Sequence, residues 1–145
     1  MKLVIQRVKS ASVSVKNRVV GKIDDGLLVL LGVGRGDDEK KADKLAGKLA
    51  KLRIMADDEK KMNLSVMDAK AKVLVVSQFT LLADTSKGNR PSFIKAADPK
   101  KASELYEYFV KKLRGKEVRV ETGSFGEYMK IDAKLDGPVT ILLED

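Results

Sequence analysis

Alternation of apolar and polar side chains predicts short β-strands in the first third of the chain. Residues 11–15 alternate small polar with apolar side chains, as expected of a half-buried strand. Residues 3–8 and 19–23 also favour strands, and residues 16–18 suit the tight turn of a hairpin. The run at 27–33 is apolar at successive positions, so we predict a central strand that is covered on both faces.

Two later segments have the spacing of amphipathic helices. The first begins with Asp37 or Asp38 as its cap and runs to about residue 54. The second begins at Asp98 and ends at Gly115. Their apolar positions are Ala42, Leu45, Ala46, Leu49, Leu52, Leu105, Tyr106, Phe109 and Leu113.

The remaining segments complete an α+β arrangement. Strands are predicted at residues 73–79, 118–122, 128–135 and 139–143, and a polar loop or hairpin tip at residues 57–63. The order ββββ-α-β-α-βββ predicts a mostly antiparallel sheet or open β-barrel with two main helices packed on one side. With no internal linker, residues 1–145 are predicted to form a single domain.

The residue types that the chain lacks restrict its chemistry. It has no His and no Cys, which excludes the Ser-His-Asp triad, Cys-His nucleophiles and the common zinc sites. Catalysis must therefore use hydroxyls, carboxylates, Lys, backbone groups or the substrate itself. Residues 32–37 have Asp37 where the dinucleotide-binding fingerprint needs a third glycine, so we interpret them as a turn. We expect neither a metal nor a cofactor.

The formal net charge of +8 favours a polyanionic partner. Nucleic acid is the first candidate, with solubility alone as the alternative. The stripe formed by Lys41, Lys44, Lys48 and Lys51 on the first helix is interpreted as a solvated face. No apolar run reaches the length of a membrane span, the N-terminus lacks the layout of a signal peptide, and Cys is absent. We therefore expect a cytoplasmic protein that contacts no membrane.

Two short motifs are candidates for function. In residues 77–80, Ser77 and Thr80 are possible nucleophiles without a His to activate them, and Asp84 is a possible base only if the fold brings it back. We expect an extended strand here, with Ser77 and Phe79 on one side and Gln78 and Thr80 on the other. The alternative is a group of polar residues that closes a strand.

The dipeptide Gly137–Pro138 interrupts a strand-like stretch. Composition favours an ordinary turn or an edge bulge there. The functional alternative is a fixed kink that presents carbonyl oxygens to a ligand, which glycine would permit to approach closely.

Taken together, the chain resembles the D-aminoacyl-tRNA deacylase family, also called the D-tyrosyl-tRNA deacylase family. The Ser-Gln-Phe-Thr motif at 77–80 and the Gly-Pro-Val-Thr motif at 137–140 carry the resemblance most specifically. The matching segments span the chain and comprise residues 5–8, 26–33, 52–54, 61–65, 76–84, 87–93, 120–123 and 136–140.

The resemblance implies a homodimer with active sites at the subunit interface. It implies hydrolysis of the ester between a D-amino acid and the 3′ end of a tRNA, without a metal. A cis bond between Gly137 and Pro138 would carry this motif into the other subunit's pocket, where it would exclude L-amino acids sterically. Glycyl-tRNA, with no side chain to exclude, would also be cleaved.

Site roles follow from the same resemblance. Arg7 would hold the Gly-Pro motif from across the interface, and Met129 would form a pocket wall. The pocket floor would be formed by Ser77, Gln78, Phe79 and Thr80. The family usually has Asn where this chain has Leu135, so any hydrogen bond of that Asn has no counterpart here.

Two mechanisms remain open. In the one we favour, backbone amides around Phe79 and Thr80 stabilise an oxyanion while the 2′-hydroxyl of the tRNA activates water. In the other, Thr80 attacks the ester directly. A tRNA- or RNA-binding module without catalysis and a small-molecule hydrolase are the alternative functions.

Overall fold

A computed structural model of the protein describes all of its residues, Met1–Asp145. Ten helices and strands follow one another along the chain, and a short 3₁₀ helix, Phe79–Leu82, follows the sixth strand. They are β1 (Lys2–Val15), β2 (Arg18–Ile23), β3 (Gly26–Gly32), α1 (Glu39–Lys51), β4 (Met55–Ala56), β5 (Met62–Leu64), β6 (Lys72–Ser77), α2 (Pro99–Arg114), β7 (Arg119–Thr122) and β8 (Lys130–Glu144).

The main sheet is mixed and resembles a partly closed barrel. Its strand order is β2-β1-β3-β6-β7. Strand β8 lies outside this order and pairs with β1 along nearly the whole length of that strand. The pairs of β1 with β2, β3 and β8 are antiparallel, whereas β3–β6 and β6–β7 are parallel. The parallel pairs are possible because α1 and α2 lie in the connections that lead into β6 and β7. The predicted α+β class is confirmed.

Both helices pack on one face of the sheet. Their buried faces meet β1, β3 and β6 in the larger core cluster, where Phe109, Leu45 and Leu49 are almost completely buried. A smaller cluster, which includes Val13, Ile23 and Leu74, lies on the opposite face, where β2 curls across the sheet toward β7.

The helix boundaries follow from their caps. Asp38, not Asp37, caps α1, since its side chain accepts a hydrogen bond from the Lys41 N–H at 3.0 Å. Helix α1 ends at Lys51, earlier than predicted, because Leu52 has an extended backbone. Helix α2 has Asp98 and Gly115 at its two ends, as predicted. Neither helix is long and apolar enough to cross a membrane.

Several predicted strands had wrong boundaries. The segments 3–8 and 11–15 form one continuous strand, β1, and the segments 128–135 and 139–143 form one strand, β8, that begins only at residue 130. Long pairing between β1 and β8 keeps both strands extended through their irregular points. The polar segment 57–63 is confirmed as a hairpin tip, between β4 and the start of β5.

We predict that Gly21→Ala destabilises the protein. An added Cβ would lie closer to the Thr122 carbonyl oxygen than van der Waals contact permits, because β2 approaches β7 there. Backbone must then shift, and we expect the free energy of unfolding to fall by about 1–3 kcal/mol. The free energy of unfolding is measured by urea titration, with circular dichroism as the signal. Gly36→Ala is the matched control, since an added Cβ at Gly36 meets no atom within 4 Å. Equal stabilities of the two variants would contradict the prediction.

Candidate functional site

The candidate site begins where β6 ends. Ser77, half-buried, is the last residue of β6, and residues 79–82 turn into the 3₁₀ helix. The strand predicted at 73–79 therefore ends two residues early, and the predicted alternation of residues 77–80 between two sides of a strand was wrong. The chain turns because the Leu81 N–H donates to the Gln78 carbonyl oxygen at 3.3 Å and the Ala83 N–H donates to that of Thr80 at 3.0 Å.

This turn fixes the polar groups of the 77–80 motif. The Gln78 side-chain amide donates a hydrogen bond to the Thr80 hydroxyl oxygen. The Gln78 backbone N–H is bonded to the Leu31 carbonyl oxygen at 2.7 Å, which anchors the motif to β3. The N–H groups of Phe79 and Thr80 are the first of the 3₁₀ helix and have no acceptor in the protein. They can therefore donate to a bound oxygen atom.

A cavity of about 490 Å³ opens beside the motif. Ser77, Gln78, Phe79 and Met129 line it, so the structure brings four of the eight predicted site residues together there, while Thr80 stands next to it on the exposed side. Most of the other walls are apolar. They include Leu31, Val33, Val76, Tyr106, Phe125, Tyr128 and Ile131.

Sequence reasoning missed the aromatic walls of this cavity. Tyr106 was assigned only to the apolar side of α2, yet it faces the cavity, where its hydroxyl donates to the Val75 carbonyl oxygen at 2.8 Å. Burial raises the pKa of Tyr106 to about 12, so this hydroxyl remains neutral and structural. Phe125 packs near it, with ring centroids 5.9 Å apart. The only signal in the sequence was the clustering of Phe125 and Tyr128 just before β8.

Arg7, Gly137 and Pro138 form a second cluster, which does not line the cavity of the same chain. Between the paired positions Val8↔Leu135 and Gln6↔Thr140, β1 contributes only Arg7, whereas β8 contributes residues 136–139. The strand therefore bulges opposite Arg7. Gly137 and Pro138 are exposed on this bulge, and the peptide bond between them is cis.

The Arg7 guanidinium holds the bulge in place. Its Nε lies 3.0 Å from the Asp136 carboxylate, and Nη1 donates to the Ile54 carbonyl oxygen at 2.9 Å. Only 12% of the Arg7 side chain is exposed. In the single chain, Arg7 thus holds the motif of its own subunit, and a contact across an interface stays a prediction. Leu135, where the family usually has Asn, is 47% exposed.

Asp84 is not placed to act as a base. Its carboxylate lies 2.9 Å from the Lys95 ammonium and accepts a hydrogen bond from the Ser86 N–H at 3.0 Å. These two partners hold the pKa of Asp84 well below its usual range. Elsewhere in the protein, no three acidic residues are grouped closely enough to bind a metal ion.

Known proteins are similar to this chain over nearly its whole length. Residues 4–144 match the family described as D-Tyr-tRNA(Tyr) deacylase. The D-aminoacyl-tRNA deacylase of Thermosipho melanesiensis is 53% identical over 145 residues, which are 99% of this chain and 97% of that protein. The D-aminoacyl-tRNA deacylase of Koribacter versatilis is 56% identical over 144 residues, with the same two coverages.

Two solved structures are also similar. One is described as a c-Myc DNA unwinding element binding protein. It is 40% identical, with a TM-score of 0.93, and the match covers 100% of this chain and 99% of that one. The other is described as a probable eukaryotic D-amino acid tRNA deacylase. At 18% identity and a TM-score of 0.83, covering 98% and 97% of the two chains, it shows a common fold.

Proposed function

This chain belongs to the D-Tyr-tRNA(Tyr) deacylase family, and from that premise we propose how its residues perform the reaction. It is a D-aminoacyl-tRNA deacylase, a hydrolase of the ester that joins the amino acid to the tRNA. The cavity at the end of β6 receives the aminoacyl ester and the terminal ribose. The observation that carries this proposal is the 77–80 motif, which places hydroxyls, an amide and two free N–H groups beside an apolar cavity. As a tRNA-editing enzyme it acts in the cytoplasm.

The chemistry relies on placement and on hydrogen bonds. Water attacks the ester carbonyl carbon, and the developing oxyanion accepts hydrogen bonds from the Phe79 and Thr80 N–H groups. The terminal 2′-hydroxyl accepts the proton of the attacking water and donates one to the departing 3′ oxygen as the acyl carbon–oxygen bond breaks. The free D-amino acid and a tRNA with a 3′-hydroxyl result. No strong base is needed, which suits a chain without His.

Thr80 has a positioning role in this mechanism. The Thr80 hydroxyl oxygen accepts a hydrogen bond from the Gln78 amide. Because this amide group donates, it cannot act as a base that takes the proton of the hydroxyl. We therefore expect Thr80→Val to lower kcat by about two- to tenfold, the effect of one hydrogen bond. A nucleophile would instead lose about ten-thousandfold or more. Single-turnover hydrolysis of D-tyrosyl-tRNA distinguishes the two. Full activity on tRNA ending in 2′-deoxyadenosine would contradict the role given to the 2′-hydroxyl.

Chiral selection belongs to Gly137 and Pro138 of a second subunit. The two residues are exposed on their bulge and lie outside the cavity of their own chain, so they are free to enter a neighbouring one. Their backbone would face the α-carbon of the substrate, where an L side chain collides and a D side chain points away. Gly137 is suited to this close contact, because its φ of +133° disfavours any residue with a side chain.

An apolar strip supports the homodimer. Leu142 of β8 is paired with Val4 of β1, which is paired with Leu30 of β3, and all three lie on the sheet face away from the helices. Leu142 is 62% exposed and the other two are half-buried. Edge strands with exposed apolar residues commonly mark an interface. We assign the strip to contact with a second copy of the chain.

We predict that Leu142→Glu yields a monomer with little deacylase activity. A charge in the apolar strip costs desolvation in the dimer only, and the monomer lacks the partner's Gly-Pro motif. Sedimentation velocity and hydrolysis of D-tyrosyl-tRNA are measured on the same sample. Val19→Glu is the matched control, since Val19 is also 62% exposed but lies on β2. A monomeric variant with full, D-selective activity would refute selection by a second subunit.

The function itself is tested with three esters of one tRNA. We expect D-tyrosyl-tRNA to be cleaved faster than L-tyrosyl-tRNA by about a hundredfold or more, since a buried steric clash separates them. Glycyl-tRNA should be cleaved as well, because it has no side chain to exclude. Loss of ester is followed by acid precipitation. Binding of both tyrosyl-tRNAs without D-selective cleavage would favour an RNA-binding module. Equal rates without the tRNA body would favour a small-molecule hydrolase.

A further inference from the structure

A second groove of about 670 Å³ lies on the other side of Phe79 from the cavity. The two hollows share Phe79 and Ala97, so they form one continuous surface. Phe79 is 57% exposed, and its ring meets that of Phe93 edge-on, with centroids 5.0 Å apart. An exposed aromatic pair of this kind offers a ring face on which a nucleobase can stack.

The same groove has two cations at its edge, Arg35 and Lys101. The Arg35 guanidinium forms no ion pair in the protein. The backbone of Arg35 is fixed, because its N–H donates to the Lys95 carbonyl oxygen at 3.0 Å and its carbonyl oxygen accepts a hydrogen bond from Lys101 Nζ at 2.7 Å. Asp98 is the one carboxylate in the groove. It accepts a hydrogen bond from the Lys101 backbone N–H at 3.0 Å as the cap of α2. Two cations against one carboxylate leave the groove with a net positive charge.

We infer that this groove binds the nucleotide that precedes the terminal adenosine of the tRNA. The inference rests on the proposed function, which puts the ester and the terminal ribose in the adjoining cavity. All tRNAs end in a single-stranded CCA sequence, so the preceding nucleotide must leave the cavity across its rim. The base of this cytidine stacks on the Phe79–Phe93 pair, and the phosphate between the two nucleotides accepts hydrogen bonds from Arg35.

Charge and shape favour this occupant over the other basic surface of the protein. The groove between α1 and the segment after α2 is lined by Lys48, Lys51, Arg53 and Lys116 but has no aromatic side chain and no connection to the cavity. It has the charge for a phosphate backbone and nothing to contact a base. The groove at Phe79 combines a ring face, the unpaired Arg35 guanidinium and continuity with the cavity.

Substrates of increasing length test the inference. D-tyrosyl-adenosine ends inside the cavity, whereas D-tyrosyl-CpA also fills the groove. We expect Arg35→Ala to lower kcat/KM for D-tyrosyl-CpA by about ten- to hundredfold, as loss of one charged hydrogen bond does, and to leave D-tyrosyl-adenosine unaffected. Arg35→Lys should retain most of the activity. Arg18→Ala, which removes an exposed arginine from β2, is the matched control. An equal loss on both substrates, or no loss on D-tyrosyl-CpA, would overturn the inference.

Direct binding separates this inference from the proposed function. Titration of the protein with the dinucleotide CpA, followed by calorimetry, requires no turnover. The wild type should bind CpA about ten- to hundredfold more tightly than Arg35→Ala does, with a weaker dependence on salt in the variant. If the wild type cleaves no D-aminoacyl ester yet shows this difference in affinity, the proposed function is wrong and nucleotide binding in the groove is supported. If D-aminoacyl esters are cleaved and CpA binds both proteins equally, the proposed function is supported and the inference about the groove is refuted.

Discussion

The contact between the Arg7 guanidinium and the bulge of β8 is the constraint on which the arrangement of the site depends. Arg7 joins three segments that are distant in sequence: β1, the turn after α1 through the Ile54 carbonyl, and β8 through Asp136. Because the side chain is largely buried, loss of its carboxylate partner would leave a poorly solvated charge. The three segments are therefore held in a fixed arrangement, in which Gly137 is exposed on the bulge of β8.

Gly137 fits this geometry only because it lacks a side chain. An added Cβ would lie 2.8 Å from both Val139 Cγ2 and the Val139 nitrogen, and 3.5 Å from Arg7 Nη2. The bulge is thus packed against its own strand from behind, while its outer face is open. The proposed chiral selection depends on a backbone surface supported in this way, since it uses no reactive side chain.

The cavity depends on a different feature, the parallel part of the sheet. Strands β3, β6 and β7 run in the same direction, so their carboxyl ends meet at one edge, where ligands commonly bind in such sheets. The 3₁₀ turn after Ser77 exposes backbone N–H groups at that edge, and α2 covers one wall with Tyr106. The 77–80 motif is anchored to β3, because the Gln78 N–H donates to the Leu31 carbonyl oxygen.

The sequence by itself determined the local elements and the limits of the chemistry. Caps such as Asp38 and Asp98 act within one turn of a helix, and the absence of His and Cys excluded most catalytic groups without any structure. Only the tertiary structure decided the rest. The bond that anchors Gln78 to Leu31, the continuity of β8 and the pairing of Arg7 with Asp136 depend on partners far away in the chain. Local propensity carries no information about which distant segments pack together, so these contacts became visible only when the sheet and the helices were assembled.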